Sequence, residues 1–354
     1  MPGKRLPSLD GLRAVAICVV LVAHTSAGAG FPAALAPAAS YLPEGRWGVQ
    51  LFFYISGFII TYLLLQEEEI HGKIHLQRFY FRRALRILPV YWTYLLTLFV
   101  VGTALDSLPP WPDFLSALTF TVGVWRAWGH HCAWVLAHFW SLAVEEQFYL
   151  LWPPIMVLLP RTIRAWFLLA IICGMPIFRG LWTRYSGDDG SHLIPFFGEV
   201  DSLAAGCLLA CCLPLLQSFV ARMALPVLYS AEIILAVFIW WEKMAFSHHW
   251  VSSLGLFFFF AHNCALGLLI GLMVIRPDLI LSKILNWGPV CWMGVLSYSI
   301  YIWQQPFTHE NLTGNIPLLV QFPYNLAAIF LVATVSYYLI EKPVLRFKSH
   351  WKAS

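Results

Sequence analysis

Long apolar runs, interrupted at wide intervals by single polar residues, set the pattern of this chain. A helix needs about 17 to 25 mostly apolar residues to cross a bilayer. Windows of that kind lie near residues 9–29, 47–65, 87–105, 139–159, 164–182, 194–213, 224–242, 250–275, 287–304 and 323–341. Stretches such as Phe52 to Leu65 and Leu254 to Val274 are apolar without alternation, whereas a barrel would alternate over segments of about ten residues. The pattern predicts an all-α, polytopic integral membrane bundle of about ten transmembrane helices. Composition agrees: of 354 residues, 60% are hydrophobic and only 11% charged, with 17 Trp, 26 Phe and 14 Tyr.

The basic residues give the orientation. With both termini in the cytoplasm, that side collects seventeen of the 22 Lys and Arg residues, and Arg46, Arg126, Arg179, Arg184 and Lys243 fall on the other. This is the positive-inside bias, and an odd number of spans would spoil it. Inward-facing basic loops account for the net charge of +4 without a nucleic-acid partner. Lys4, Arg5, an apolar core and the small residues Ala27 and Ala29 resemble a signal peptide, yet Asp10 and Arg13 stand where its apolar core would begin. Seven of the eight cysteines fall inside predicted spans and Cys132 in an outer loop, so no disulfide framework is expected. Buried Cys207, Cys211 and Cys212 read as small apolar fillers. With no internal repeat and no polar linker, residues 1–354 are expected to form one membrane domain without a fused soluble domain.

Three segments carry ionisable groups into apolar surroundings. The first window holds Asp10, Arg13 and His24. At about 100° per residue, Arg13 and His24 return to within roughly 20° of one face, about 16 Å apart along the axis, with Asp10 on the same face. Such groups cost roughly 2.5 to 3.5 kcal/mol each within a membrane, so a helix that keeps them faces a cavity or a partner. The second segment, Arg78 to Pro89, brings Arg82, Arg83 and Arg86 to a helix entrance, where i,i+3 and i,i+4 spacings let three guanidiniums converge on one polyanion. A plain positive-inside anchor at the headgroups is the simpler reading of that cluster. The third, His138 to Pro153, carries Glu145 and Glu146 into an apolar helix; Glu145, Tyr149 and Trp152 share a stripe and Glu146 points about 100° away.

These segments, with Gly48 to Phe58, Asp201 to Gly206, Ser297 to Tyr301 and Ser336 to Pro343, resemble the acyltransferase 3 family of membrane acyltransferases over nearly the full length. The resemblance implies a multi-pass enzyme of the cell membrane, as in the bacterial inner membrane, that moves an acyl group. The group is usually acetyl, carried from cytosolic acetyl-CoA to a hydroxyl of a carbohydrate or glycosylated acceptor, with no permanently bound cofactor. It places the family's first-helix Arg and His on Arg13 and His24, its Arg-x-x-Arg pair on Arg83 and Arg86, its acidic position on Glu145, and a small-residue turn on Ser56 and Gly57. Asp10, Glu146, Tyr149, Asp201 and Tyr298 are supporting candidates. Many members have Asp where this chain has Gln50, Arg where it has Glu199 and His where it has Gln304, which suggests a distinct acceptor subgroup.

On this reading Arg82, Arg83 and Arg86 hold the CoA phosphates and the pantetheine arm reaches toward His24, which acts as general base or as acyl carrier. A proton-coupled transporter using His24, Glu145, Glu146 and Asp201 is the alternative, and it predicts inverted repeats that the sequence lacks. A metal site from His130, His131, Cys132 and His138 is a further alternative, although loop histidines of this kind are more often merely solvated. Trp111, Trp125, Trp128 and Trp134 of the outer loops suit either sugar stacking or an interfacial belt.

Overall fold

The computed structural model describes residues 6–26, 28, 30–41, 44–187, 192–247, 255–309 and 317–350. Among them the helices are Leu9–Thr25 (α1), Ala36–Ser40 (α2), Gly45–His71 (α3), Leu76–Ala104 (α4), Trp111–Leu118 (α5), Val122–Ala127 (α6), Trp134–Ala137 (α7) and Phe139–Leu158 (α8). They continue with Arg161–Ser186 (α9), Pro195–Val220 (α10), Leu225–Ser247 (α11), Gly255–Ile275 (α12), Ile280–Leu285 (α13), Gly288–Trp303 (α14) and Tyr324–Ser336 (α15). A π turn, Tyr337–Glu341, then leads into Lys342–His350 (α16). No strand occurs among the described residues.

Every apolar window falls on a helix, although the start of window 250–275 lies outside the described residues, as do Lys4, Arg5 and Lys352. Six described helices are long and apolar enough to cross a membrane: α3, α4, α9, α10, the Leu225–Glu242 part of α11, and Tyr324–Arg346. The others differ for visible reasons. α1 has 17 residues and α14 has 16, while α8 interrupts its apolar run with Glu145, Glu146, Gln147, Pro153 and Pro154. Large apolar side chains stay exposed along the long helices, Leu96 at 63%, Trp166 at 72% and Leu215 at 72%, as lipid-facing positions should be.

Two details depart from the sequence expectations. The apolar window begins at residue 87, but its helix already begins at Leu76, so Arg78 to Pro89 lie within α4 and the arginines line its start. Proline is tolerated there because side chains and neighbouring helices can satisfy the freed backbone groups. Ser56 and Gly57 do not form a turn but sit in the middle of α3, where extended turn geometry is unnecessary and close packing is the constraint.

The chain divides into two compact units. The first takes Met1–Val20, Ser40–Ile74 and Gln147–Val295. Its spine is the pairing of α3 with α10. A side chain at Gly57 would collide with the Leu203 carbonyl, and one at Gly206 with the Tyr54 carbonyl, so glycine at both points lets the backbones meet. Charges fasten the ends of the same helices. Arg164, nearly buried, holds both oxygens of Glu68 at 2.7 and 2.9 Å and also donates to the Met156 and Leu159 carbonyls at 2.6 and 3.0 Å, capping the end of α8. Arg179 grips Asp201 through both oxygens at 2.9 and 2.8 Å.

The second unit takes Leu21–Ala39, His75–Glu146 and Leu296–Ser354. Here α4 carries two fully buried tyrosines that hold the following short helices as a strap. Tyr91 donates to the Ala117 carbonyl at 2.6 Å and Tyr94 to the Val135 carbonyl at 2.7 Å. Within the strap, Asp113 accepts from Trp125 Nε1 at 2.9 Å and from the Ala133 N–H at 2.8 Å. Ser299 on α14 donates to Glu341 at 3.0 Å, tying that helix to the π turn.

Candidate active site

The second unit contains the imidazole singled out by the sequence. α1 ends at Thr25, earlier than the apolar window, because Gly28, Gly30 at φ +75° and Pro32 cannot continue it. His24 therefore occupies the last turn, half-buried, close to the strap. Its Nδ1 lies 3.3 Å from Gln304 Oε1, and Gln304, immediately after α14, is 0% exposed. The strap delivers Trp134 edge-on to the imidazole, with ring centroids 6.0 Å apart, and the other side of Trp134 leans on His309 at 5.2 Å. Asp113 makes this placement rigid, since Ala133, whose N–H it holds, directly precedes Trp134.

Behind this group sits His138, only 4% exposed and near enough to His24 for the two imidazoles to interact electrostatically. Its ring packs against Tyr94, Phe139 and Tyr301 at 5.9, 4.2 and 5.6 Å. The Tyr301 hydroxyl donates to the His138 carbonyl at 2.9 Å and lies 2.5 Å from Ser141 Oγ. The Ile302 backbone is nearby, yet neither ring nitrogen makes a hydrogen bond of normal geometry. Gln304 Nε2, Trp134 Nε1 and Trp303 Nε1 are likewise buried without a hydrogen-bond partner. Buried polar atoms are paired in the great majority of cases, so these unpaired atoms make this part of the second unit the candidate site.

A second polar group lies on the same unit around α4. Glu146 is within electrostatic reach of Arg83, and Tyr298 of Arg86, Glu146 and Glu341. Tyr298 itself donates to the Ile87 carbonyl at 2.8 Å, one turn from Arg83. Glu145 stands within reach of Tyr301. Adjacent carboxylates thus face different neighbours, as their angular separation requires: Glu146 looks toward the arginines and Glu145 toward Tyr301.

Other candidates stand elsewhere. Arg13 Nη1 is 3.6 Å from Asp10 on its own helix. Ser56 and Tyr149 share a hydrogen bond in the first unit, where Trp152 Nε1 also donates to Thr61 at 2.8 Å. Asp201 is bound to Arg179. Gln50 and Glu199, two positions that depart from the family pattern, touch one another: Gln50 Nε2 donates to Glu199 at 3.0 Å, and Arg46 supplies the cation at 2.7 Å. Among the described residues, no group of three His, Cys, Asp or Glu side chains is placed to hold a metal. His130 stacks on Trp125 at 3.7 Å and His138 turns into the aromatic core.

Sequence reasoning marked Gln304 as a departure from the family pattern without assigning it a role, and treated His138 mainly as a loop histidine. The signal for Gln304 was available in its position at the apolar end of a predicted span, where a buried amide requires partners.

Fold and site together define a multi-pass, all-α membrane protein with a half-buried histidine in the last turn of α1 and arginines near the start of α4. The model of the acyltransferase domain family, acyltransferase 3, matches residues 6–341, and the chain belongs to that family. Peptidoglycan O-acetyltransferase OatA of Listeria monocytogenes is 29% identical over 369 residues, which cover 96% of this chain and 56% of the relative. O-acetyltransferase OatA of Staphylococcus aureus is 27% identical over 371 residues, covering 96% and 57%. The chain thus spans a little more than half the length of these relatives. No solved structure matches it.

Proposed function

We propose that this chain is a membrane O-acyltransferase that carries an acyl group, acetyl foremost, from cytosolic acyl-CoA to a hydroxyl of a carbohydrate acceptor. The observation that carries the reading is His24, half-buried beside a buried amide and an indole edge, on the same compact unit as Arg82, Arg83 and Arg86. Family membership and relatives named as O-acetyltransferases, one of them for peptidoglycan, support it. The chain crosses the membrane about ten times, with both termini in the cytoplasm. CoA phosphates rest on the three arginines, whose planar forks suit bidentate phosphate contact. His24 takes the proton of the acceptor hydroxyl as it attacks the thioester, or carries the acyl group between the two substrates. Glu146 faces Arg83, and Arg13 lies beside Asp10 on α1.

The test uses membranes containing the full chain, radiolabelled acetyl-CoA and peptidoglycan fragments. Wild type is expected to label the carbohydrate fraction, and His24→Ala to lose about 1,000-fold in rate. Arg83→Ala with Arg86→Ala is expected to raise the KM for acetyl-CoA about tenfold or more while folding is retained. Undiminished transfer by His24→Ala would sink the assignment.

A further inference from the structure

We infer that Gln304 positions His24 and donates to the thioester carbonyl oxygen as it becomes negative, an inference that rests on the acyl-transfer reading above. Gln304 is fully buried and its own N–H is held by the Ile300 carbonyl at 3.0 Å, so the side chain has a fixed origin. Its Oε1 is 3.3 Å from His24 Nδ1, and its Nε2 has no partner. An amide oxygen only accepts, so this contact requires the imidazole proton on Nδ1 and leaves the lone pair on Nε2. One amide therefore does two things: its oxygen chooses the tautomer, and its N–H group remains available beside the ring it has oriented. The indole N–H groups of Trp134 and Trp303, also buried without partners, extend the donor set.

During direct transfer, the acceptor hydroxyl gives its proton to His24 Nε2 while its oxygen bonds to the thioester carbon. The carbonyl π pair moves onto oxygen, where the Gln304 N–H meets it. As that pair returns, the C–S bond breaks and the CoA thiolate takes the proton from His24 Nε2. Donors aimed at such an oxygen act most strongly where water is excluded, and loss of one typically costs about 100-fold to 1,000-fold in kcat.

The test compares wild type with Gln304→Leu, which removes acceptor and donor, and Gln304→Glu, which keeps an acceptor and removes the donor. Full-length protein labelled with ¹⁵N-histidine in lipid nanodiscs reports the tautomer, with the His24 signals assigned by their loss in His24→Asn. Wild type and Gln304→Glu are expected to show the Nδ1–H tautomer, and Gln304→Leu to lose it. With acetyl-CoA and peptidoglycan fragments, both variants are expected to lose about 100-fold in kcat, with the KM for acetyl-CoA changed less than about threefold. An Nε2–H tautomer in wild type, the result of the opposite amide orientation, would overturn the positioning role. A Gln304→Leu kcat within threefold of wild type would overturn the donor role. An Nδ1–H tautomer in a wild type that transfers no acetyl would support positioning and count against the acyl-transfer reading instead.

Discussion

Single side chains in this protein behave according to what surrounds them rather than according to residue type. The Cys132 thiol, in the strap outside the spans, is pushed up to about 12 by burial and by the negative charge of Asp113, partly countered by Arg126. The thiolate is the reactive form, so Cys132 should alkylate slowly at neutral pH and faster by about tenfold per unit as pH rises toward that value. Asp113→Asn, which removes the nearby charge, should speed the reaction several-fold; timed maleimide labelling with Cys132 as the sole cysteine measures both. The buried carboxylate of Glu199 depends in the same way on its neighbours. Arg46→Ala leaves it with Gln50 alone and should lower stability by about 1–3 kcal/mol. Adding Glu199→Gln should recover most of that loss, because the unpaired charge is gone; thermal unfolding of the single and double variants in nanodiscs gives the coupling. The sequence singled out Gln50 and Glu199 as separate departures from the family pattern. Their contact, across 149 positions, was not visible in the chain order.

Helices were the most legible level because a bilayer imposes a length and a polarity on each span, and both can be read residue by residue. The window of α3 and its glycines were readable, yet the reason for Gly57 was not. Nothing local distinguishes a glycine in a turn from one against which another helix rests, and the Leu203 carbonyl that decides the matter belongs to α10. Gly57→Val or Gly206→Val should therefore force α3 and α10 apart and cost at least about 3 kcal/mol, beyond ordinary overpacking of side chains, because the collision is with backbone. A fall in the apparent Tm and in the yield of folded protein would show it; unchanged unfolding would mean that the two helices do not meet there. The same limit applied at the candidate site. His24 was visible as an ionisable group in an apolar window, whereas Gln304, noted only as a departure from the family pattern, is 280 positions away and gains a partner in His24 only in the fold.

For the molecule as a whole, the proposed acyl-CoA reading turns on orientation in the membrane, since a cytosolic donor that cannot cross a bilayer would have to meet the arginines from the cytoplasmic side. From the basic-residue bias of the sequence, Lys73 and the start of α4 are expected inside and the strap outside. In a cysteine-free background, an impermeant maleimide added to intact cells should label Thr119→Cys, on the exposed strap, and leave Lys73→Cys unmodified until the cells are opened. That result would put His24, at the strap end of α1, within reach of an outside acceptor, and the arginines of α4 within reach of the cytosolic donor. The reverse pattern would place the arginines on the wrong side of the membrane for CoA. In that case His24 could keep its tautomer and its aromatic neighbours, but the donor would have to be an extracytoplasmic acyl compound, and the acyl-CoA assignment would fail with the orientation.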